Sequence, residues 1–188
     1  MPRWSPGADG RLYHAAMQLI VERGYDKVTV AEIAEHAGLK KRTFFRYYAD
    51  KREVLFAGSA EFEHSIVEAV RAAPATAAPL DAVIGALAEA GTGLASWGEP
   101  VRQRQRVIAS SPELRERELF KMQALAASVA QALSCRGVEG LTATLVAQVG
   151  VTAFTSAFQQ WTEATGHQDF STSMQNVLGH LRAAVCPH

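Results

Sequence analysis

Cysteine is almost absent from this chain: Cys135 and Cys186 are the only two among 188 residues, and they form no CxxC pair. That excludes a disulfide framework and suits a reducing compartment. An excess of one charge is lacking too, because 19 Lys and Arg meet 19 Asp and Glu. The total therefore points to no polyanionic partner, but the distribution is uneven. Residues 1–60 carry ten basic and seven acidic side chains, and the remainder carries nine and twelve. The N-terminal part thus holds a modest positive excess of the kind that suits phosphate.

Other absences narrow the class. No apolar h-region follows Met1-Pro2-Arg3-Trp4, so no signal peptide is expected. The longest apolar stretch, Leu141 to Phe158, contains four Thr, a Ser and a Gln. It reads as a core or interfacial helix rather than a membrane span. A cytoplasmic protein with no membrane partner is expected. The six histidines (His14, His36, His64, His167, His180 and His188) are scattered, with no HExxH and no His/Cys cluster. No metal site is expected. There is also no glycine-rich phosphate loop, no GxSxG and no close pair of carboxylates in an apolar setting. No cofactor and no catalytic residue are assigned, and the chain is not expected to be an enzyme.

Alternating apolar and polar residues of the kind a sheet needs occur nowhere, whereas apolar residues recur at spacings of three and four. The fold class is therefore all-α. A first helix is expected over about residues 9–23, stopped by Gly24. Thr29 and Glu32 stand three apart before an apolar run, which is a capping-box signature for a second helix ending at Gly38. A third helix is expected over residues 41–48, and Asp50 is placed to cap a longer fourth. Pro74 and Pro79 break the pattern. Beyond them, helices are expected near residues 80–97, 100–110, 112–135, 138–164 and 168–185, with Gly91, Gly93 and Gly98 loosening the end of the first of these.

Val30 to Tyr48 has the internal logic of a helix-turn-helix. Ile33 and Ala37 face inward, Ala34 is small where the next helix crosses, Gly38 permits a tight turn, and Phe44 and Tyr48 bury the inner face of the following helix. The outward face brings Lys40, Lys41, Arg42, Thr43 and Arg46 to the start and side of that short helix. In this geometry the second helix enters the major groove, where Arg and Lys pair with guanine and an aromatic meets a thymine methyl. Thr29 and Lys51 each stand at a helix N-terminus, where main-chain N–H groups favour a phosphate.

The stretch Arg23-Gly24-Tyr25-Asp26, Thr29-Val30-Ala31-Glu32-Ile33-Ala34, Ala37-Gly38 and Thr43-Phe44-Phe45-Arg46-Tyr47-Tyr48-Ala49-Asp50-Lys51 resembles the TetR family of transcriptional regulators over residues 9–56. The resemblance implies an N-terminal three-helix helix-turn-helix domain, residues 1–50, and a C-terminal helical bundle for effector binding and dimerisation, residues 51–188. It implies phosphate contacts at Thr29, Tyr47 and Lys51, and groove-facing positions at Lys41, Arg42, Thr43 and Phe45. Lys40 replaces the usual Ser or Thr cap, and Phe45 the usual Tyr. The segment Val101 to Ile108, with Ser111 to Arg115, is similar to an actinobacterial branch with members that answer to fatty acyl-CoA.

Within the second domain, Phe62, Trp97, Met122 and Phe158 are candidate effector-pocket residues. Arg102, Arg104 and Arg106 invite a phosphate-binding reading, although solvated arginines with partners such as Glu99 suit their spacing better. Val146, Val149, Ala153, Ala157 and Gln160 form a small and apolar stripe beside Phe154, Phe158 and Trp161. One of these faces is expected on the ligand core and the other on a partner subunit. The expected partners are double-stranded DNA, a small-molecule effector and a second copy of the chain. The rival reading is a helical lipid- or acyl-ligand-binding protein without operator binding.

Overall fold

The computed structural model describes residues 7–164 and 169–185. Within them the chain is all-α, with ten helices and one 3₁₀ turn. Gln168, the expected start of the last helix, and Cys186 lie outside the described residues. The chain divides into two compact units, residues 1–62 with 103–119, and residues 63–102 with 120–188.

The first unit begins with α1, Ala8–Arg23, which ends where Gly24 takes a φ of 88°. A 3₁₀ turn, Tyr25–Lys27, leads to α2, Val30–His36, then α3, Lys41–Tyr47, and α4, Lys51–Leu55. Each boundary has a local cause. The Glu32 N–H donates to Thr29 Oγ1 at 3.3 Å and the Thr29 N–H to Glu32 Oε2 at 2.8 Å, closing the capping box. At the other end of α2 the Leu39 N–H donates to the Ala34 carbonyl at 2.8 Å, and the Gly38 N–H to Glu35 at 2.9 Å. That pairing is a Schellman stop, and it requires the positive φ of 67° that Gly38 supplies.

The expected long fourth helix is broken. Asp50 does cap α4, accepting from the Arg52 and Glu53 N–H groups at 2.8 and 3.1 Å. The helix stops after five residues, however, because Phe56 is buried and Gly58 turns the chain through a φ of 80°. α5, Ser59–Ala72, starts afresh. Leu12, Ala16 and Ile20 of α1 pack with Ile33, Phe44, Val54 and Leu55 into one core, which Val107, Ile108 and Leu114 complete.

The Asp50 carboxyl is held below its ordinary value of 3.8, first by its hydrogen bond from Arg52 and then by the Glu53 N–H, against the opposing effect of burial. A carboxyl with a depressed folded-state pKa stabilises above its unfolded pKa and loses that contribution as pH falls through the folded value. At neutral pH, Asp50→Ala is expected to cost about 0.5–2 kcal/mol. Melting curves of wild type and variant should converge as the pH drops below 3.8; a constant gap would exclude the charged cap as its cause.

The second unit is built on α6, Pro79–Ala95, α9, Gly140–Glu163, and α10, Phe170–Val185, with parts of α5, of α7, Glu99–Ser110, and of α8, Pro112–Cys135. Gly91 does not loosen α6, which runs on to Ala95. A Cβ there would collide with the buried Phe170 ring, so the glycine lets α10 approach α6. Gly150 does the same between α9 and Val83 of α6, where a Cβ would meet the Val83 side chain. Phe154, Phe158, Trp161 and Phe170 form an aromatic cluster with ring centres 5.6–6.4 Å apart. α9 is long and apolar enough to cross a membrane by length and composition. One side of it is filled by Ala147, Val151, Phe154 and Phe158, all buried, as in the core helix of a globular unit.

Three helix C-termini are held by an arginine from elsewhere in the same unit. Arg104 Nε donates to the Leu55 carbonyl of α4 at 2.7 Å. Arg102 Nη1 donates to Thr162 and Ala164 at 3.2 and 3.1 Å, with its guanidinium 4.3 Å from the Trp161 ring centre. Arg136 reaches the Val70, Ala73 and Pro74 carbonyls at 2.8, 2.6 and 2.9 Å. A cation is favourable there because the last carbonyls of a helix lack partners and carry its negative dipole end. This corrects the reading of Arg102 and Arg104 as solvated or phosphate-binding arginines. The two side chains leave α7 nearly opposite ways, and each is committed to main-chain oxygens.

Candidate nucleic-acid interface

α3 is seven residues long and cannot stand alone in water. Its inner face, Phe44 together with Tyr48 just past the helix, anchors it. Phe44 is fully buried, with its ring centre 5.6 Å from Phe45 and 5.5 Å from Tyr48. The Tyr48 hydroxyl donates to the Asp9 carbonyl at 3.2 Å, tying the end of α3 to α1. Burial pushes that hydroxyl up to about 12, so it stays protonated and keeps donating.

With one face fixed inward, the rest of α3 stands in solvent. Lys40, Lys41, Arg42, Phe45, Arg46 and Tyr47 are exposed and Thr43 is half-buried. Phe45 is 50% exposed and Tyr47 43%, which is unusual for rings of this size and leaves two apolar surfaces among four cations. Lys41 Nζ lies 5.9 Å from the Phe45 ring centre. The Arg46 guanidinium lies 4.9 Å from the Tyr47 ring centre and donates to its hydroxyl at 3.0 Å. A short helix with such a face offers charge for phosphate, forked donors for guanine and ring edges for a thymine methyl.

The structure brings Lys40, Lys41, Arg42, Thr43, Phe45, Arg46 and Tyr47 onto or beside this one helix. Thr29 and Lys51 stand apart, each already engaged. The Thr29 hydroxyl also donates to Glu32 Oε2 at 2.7 Å, a bond that helps hold the Glu32 carboxyl below its usual range. Lys51 Nζ donates to the Tyr25 and Val28 carbonyls at 2.8 and 3.0 Å and lies 3.9 Å from the Tyr25 ring centre. An ammonium has three donors, so one is left for a phosphate. This clamp on the 3₁₀ turn was not legible in the sequence, because its acceptors are main-chain oxygens more than twenty residues away.

Lys40 occupies the N-cap of α3 and makes no side-chain cap hydrogen bond. Lys40→Ser is therefore expected to raise stability by about 0.5–2 kcal/mol in thermal melts. An unchanged melt would mean that the N–H groups of α3 are already as well satisfied by water.

The four candidate effector residues differ in exposure. Phe158 is buried in the aromatic cluster, Phe62 and Met122 are half-buried, and Trp97 is 43% exposed. Two open grooves of about 350 and 340 Å³ lie on α10 and between α9 and α10, and none of the four lines either. Among the described residues no three His, Cys, Asp or Glu side chains come together as metal ligands.

A helix-turn-helix with a cationic outer face, in an otherwise all-helical chain, defines a DNA-binding transcription regulator. Residues 12–57 match the family model described as bacterial regulatory proteins, tetR family, and residues 77–185 match the MftR C-terminal domain. The chain belongs to the TetR family of transcriptional regulators. It is 36% identical over 76 residues to the HTH-type transcriptional regulator TcmR of Streptomyces glaucescens, a match covering 40% of this chain and 34% of that protein. The aligned part thus spans about a third of that curated relative's length.

Solved structures share the fold across nearly the whole chain. The SmeT–triclosan complex superposes with a TM-score of 0.67 at 17% identity, covering 94% of this chain and 90% of that one. FadR of Thermus thermophilus, a TetR-family repressor in complex with lauroyl-CoA, superposes with a TM-score of 0.57 at 21% identity and covers 96% of both.

Proposed function

We propose that this chain is a ligand-responsive repressor that binds a near-palindromic operator as a homodimer and is released by a small, largely apolar effector. Residues 1–50 carry DNA binding, and residues 51–188 carry effector binding and dimerisation. The observation that supports this most is the outer face of α3, where four cations and two exposed rings stand on a helix anchored from behind by Phe44. Lys41, Arg42, Thr43, Phe45 and Arg46 read the groove. Lys40, Tyr47, the remaining Lys51 donor and the N-terminus of α2 at Thr29 hold phosphates. The protein acts in the cytoplasm and is not an enzyme.

The second copy is placed on the outer side of α9 and α10. Of the small and apolar stripe of α9, Ala153 and Ala157 are buried in the protomer's own core, while Val149 is exposed. Leu141, Leu145 and Val149 stand outward at a spacing of four, 67%, 54% and 37% exposed, and Val149 lines a groove with Thr152, Ala153, Ser156, Val177 and Leu181. Light scattering should give twice the 20.3 kDa of one chain; a monomer at micromolar concentration would exclude this dimer.

An apolar effector is supported by the aromatic cluster of α9 and α10, with Phe158 at its centre, and by the bound molecules in the two structural relatives. The cluster is filled, so an effector enters by parting Phe154, Phe158 and Phe170. Phe62, Trp97 and Met122 are the further candidates for its walls. Such a ligand shifts occupancy only by its differential affinity for the two states, about 1–3 kcal/mol.

The deciding experiment selects sites from random duplex DNA and titrates the winner at several salt concentrations. A palindromic winner is expected, with log K falling by about 0.9 per phosphate contact for each decade of salt. Absence of any enriched site, together with uptake of acyl ligands, would favour the rival acyl-binding protein.

A further inference from the structure

The outer faces of α9 and α10 stand out by the charge they lack. From Gly140 to Thr162, α9 carries no charged side chain, and the titratable side chains of α10 are His180 and Arg182. A helix side turned to water normally spreads charge over it. Here Leu141, Leu145 and Val149 stand out of α9, and Gln175, Asn176, Gly179, His180 and Ala183 line the open groove on α10. Depletion of charge at exposed positions marks a surface that a protein partner covers. A neutral face suits a second copy of itself better than it suits a charged partner.

His180 is the exception on that face. Its Nδ1 lies 2.8 Å from the Asn176 carbonyl one turn back, so Nδ1 carries the hydrogen and donates. Among the described residues the exposed ring has no other partner, which leaves the Nε2 lone pair of its neutral form available. An imidazole gains its charge between about pH 5 and 8. The carboxylates of the surrounding elements are not set to receive that charge. Glu139 accepts from the Leu141 and Thr142 N–H groups, and Glu163 from Gln159. Asp169 accepts from Ser171 and stands about three turns from His180. On α6, which meets α10 at Gly91 and Phe170, Asp81 and Glu89 are exposed and neither bonds to the ring. Two-fold symmetry fixes what a second copy brings, namely the same neutral side chains with another His180 and Arg182.

We propose that His180 makes self-association sensitive to pH, because the interface between two copies accepts the neutral ring and rejects the imidazolium. This rests on the dimer reading above. In a separated chain His180 is exposed and water solvates its charge. Between two copies the same charge loses hydration and finds no anion. The separated chains therefore bind more protons, and the dimer comes apart as the pH falls. A palindromic site needs both reading heads, so operator occupancy falls with the dimer.

Sedimentation equilibrium of the full chain, from about pH 8 to about pH 5.5, tests this on wild type, His180→Gln, His180→Lys and His64→Gln. Each is also melted at both ends of the range. The wild-type dimer dissociation constant is expected to rise about 10- to 100-fold as the pH falls, since two rings titrate per dimer. His180→Gln, uncharged throughout, should stay within about twofold across the range. His180→Lys, charged throughout, should dimerise weakly even at the upper end. His64 is exposed on α5, and its Gln variant should follow wild type. A wild-type constant that ignores pH overturns the proposal. So does a His180→Gln variant that keeps the full pH dependence, or a His180→Lys variant that dimerises as tightly as wild type at the upper end. If wild type is a monomer at every pH, the dimer reading fails first and this inference falls with it.

Discussion

Arg42→Ala is expected to weaken specific DNA binding by about 1–3 kcal/mol, or roughly 5- to 150-fold, while the melting temperature barely moves. The two halves of that result have separate causes. Arg42 stands on the exposed face of α3, two residues before the buried Phe44, so it points away from the core and truncating it opens no cavity. In a groove its forked guanidinium pairs with guanine O6 and N7, and alanine leaves both acceptors to water. Fluorescence anisotropy on the selected duplex and a thermal melt on the same sample suffice. Affinity equal to wild type would place the reading face elsewhere. A large drop in melting temperature would mean that Arg42 has a structural role the geometry does not suggest.

Phe44→Ala is the complementary case. This ring is fully buried where α1, α2 and α3 meet, against Tyr48 and Phe45. Removing it deletes apolar contact and leaves a cavity, at a cost of about 3–5 kcal/mol. The unit concerned has about 80 residues, so its melting temperature should fall by at least about 12 °C. DNA binding should disappear with the fold, for every sequence alike, because Phe44 is the buried side chain within α3 that seats the helix on the core. Arg42→Ala and Phe44→Ala thus separate reading from holding on opposite faces of one helix. Wild-type melting in Phe44→Ala would overturn the packing described here.

Much of the first unit is legible in the sequence because its signals are local. Thr29 and Glu32 satisfy each other across one turn, Gly24 and Gly38 supply the positive φ that stops α1 and α2, and Asp50 caps the next helix within three residues. None of these depends on distant chain. The outer face of α3 is legible for the same reason, since burial of Phe44 and Tyr48 places Lys41, Arg42, Phe45 and Arg46 outward by helical geometry alone.

The features that escaped are those in which a side chain meets a distant main-chain oxygen or a distant ring. Lys51 had an expected place at a helix N-terminus, but its ammonium reaches back to the Tyr25 and Val28 carbonyls. Arg102 and Arg104 looked alike in the sequence, two cations in a polar helix, yet they close the ends of two different helices. Gly91 looked like a breaker and is instead the one residue type that clears Phe170. The sequence leaves open which face of α9 serves the core, and Ala153 and Ala157 are packed within the protomer.

What the sequence by itself determined, then, is the all-helical class, the helix-turn-helix and the identity of the side chains on its outer face. These follow from hydrophobic period, caps and stops acting within a few residues. Tertiary structure alone decided that the fourth helix breaks at Gly58, that α4 is gripped by Arg104 and that the outward stripe of α9 is Leu141, Leu145 and Val149. In each case the deciding partner lies tens of residues away, or the outcome depends on which of several apolar faces the core claims. A helical period identifies the faces but does not rank them; that ranking comes from packing against the other helices.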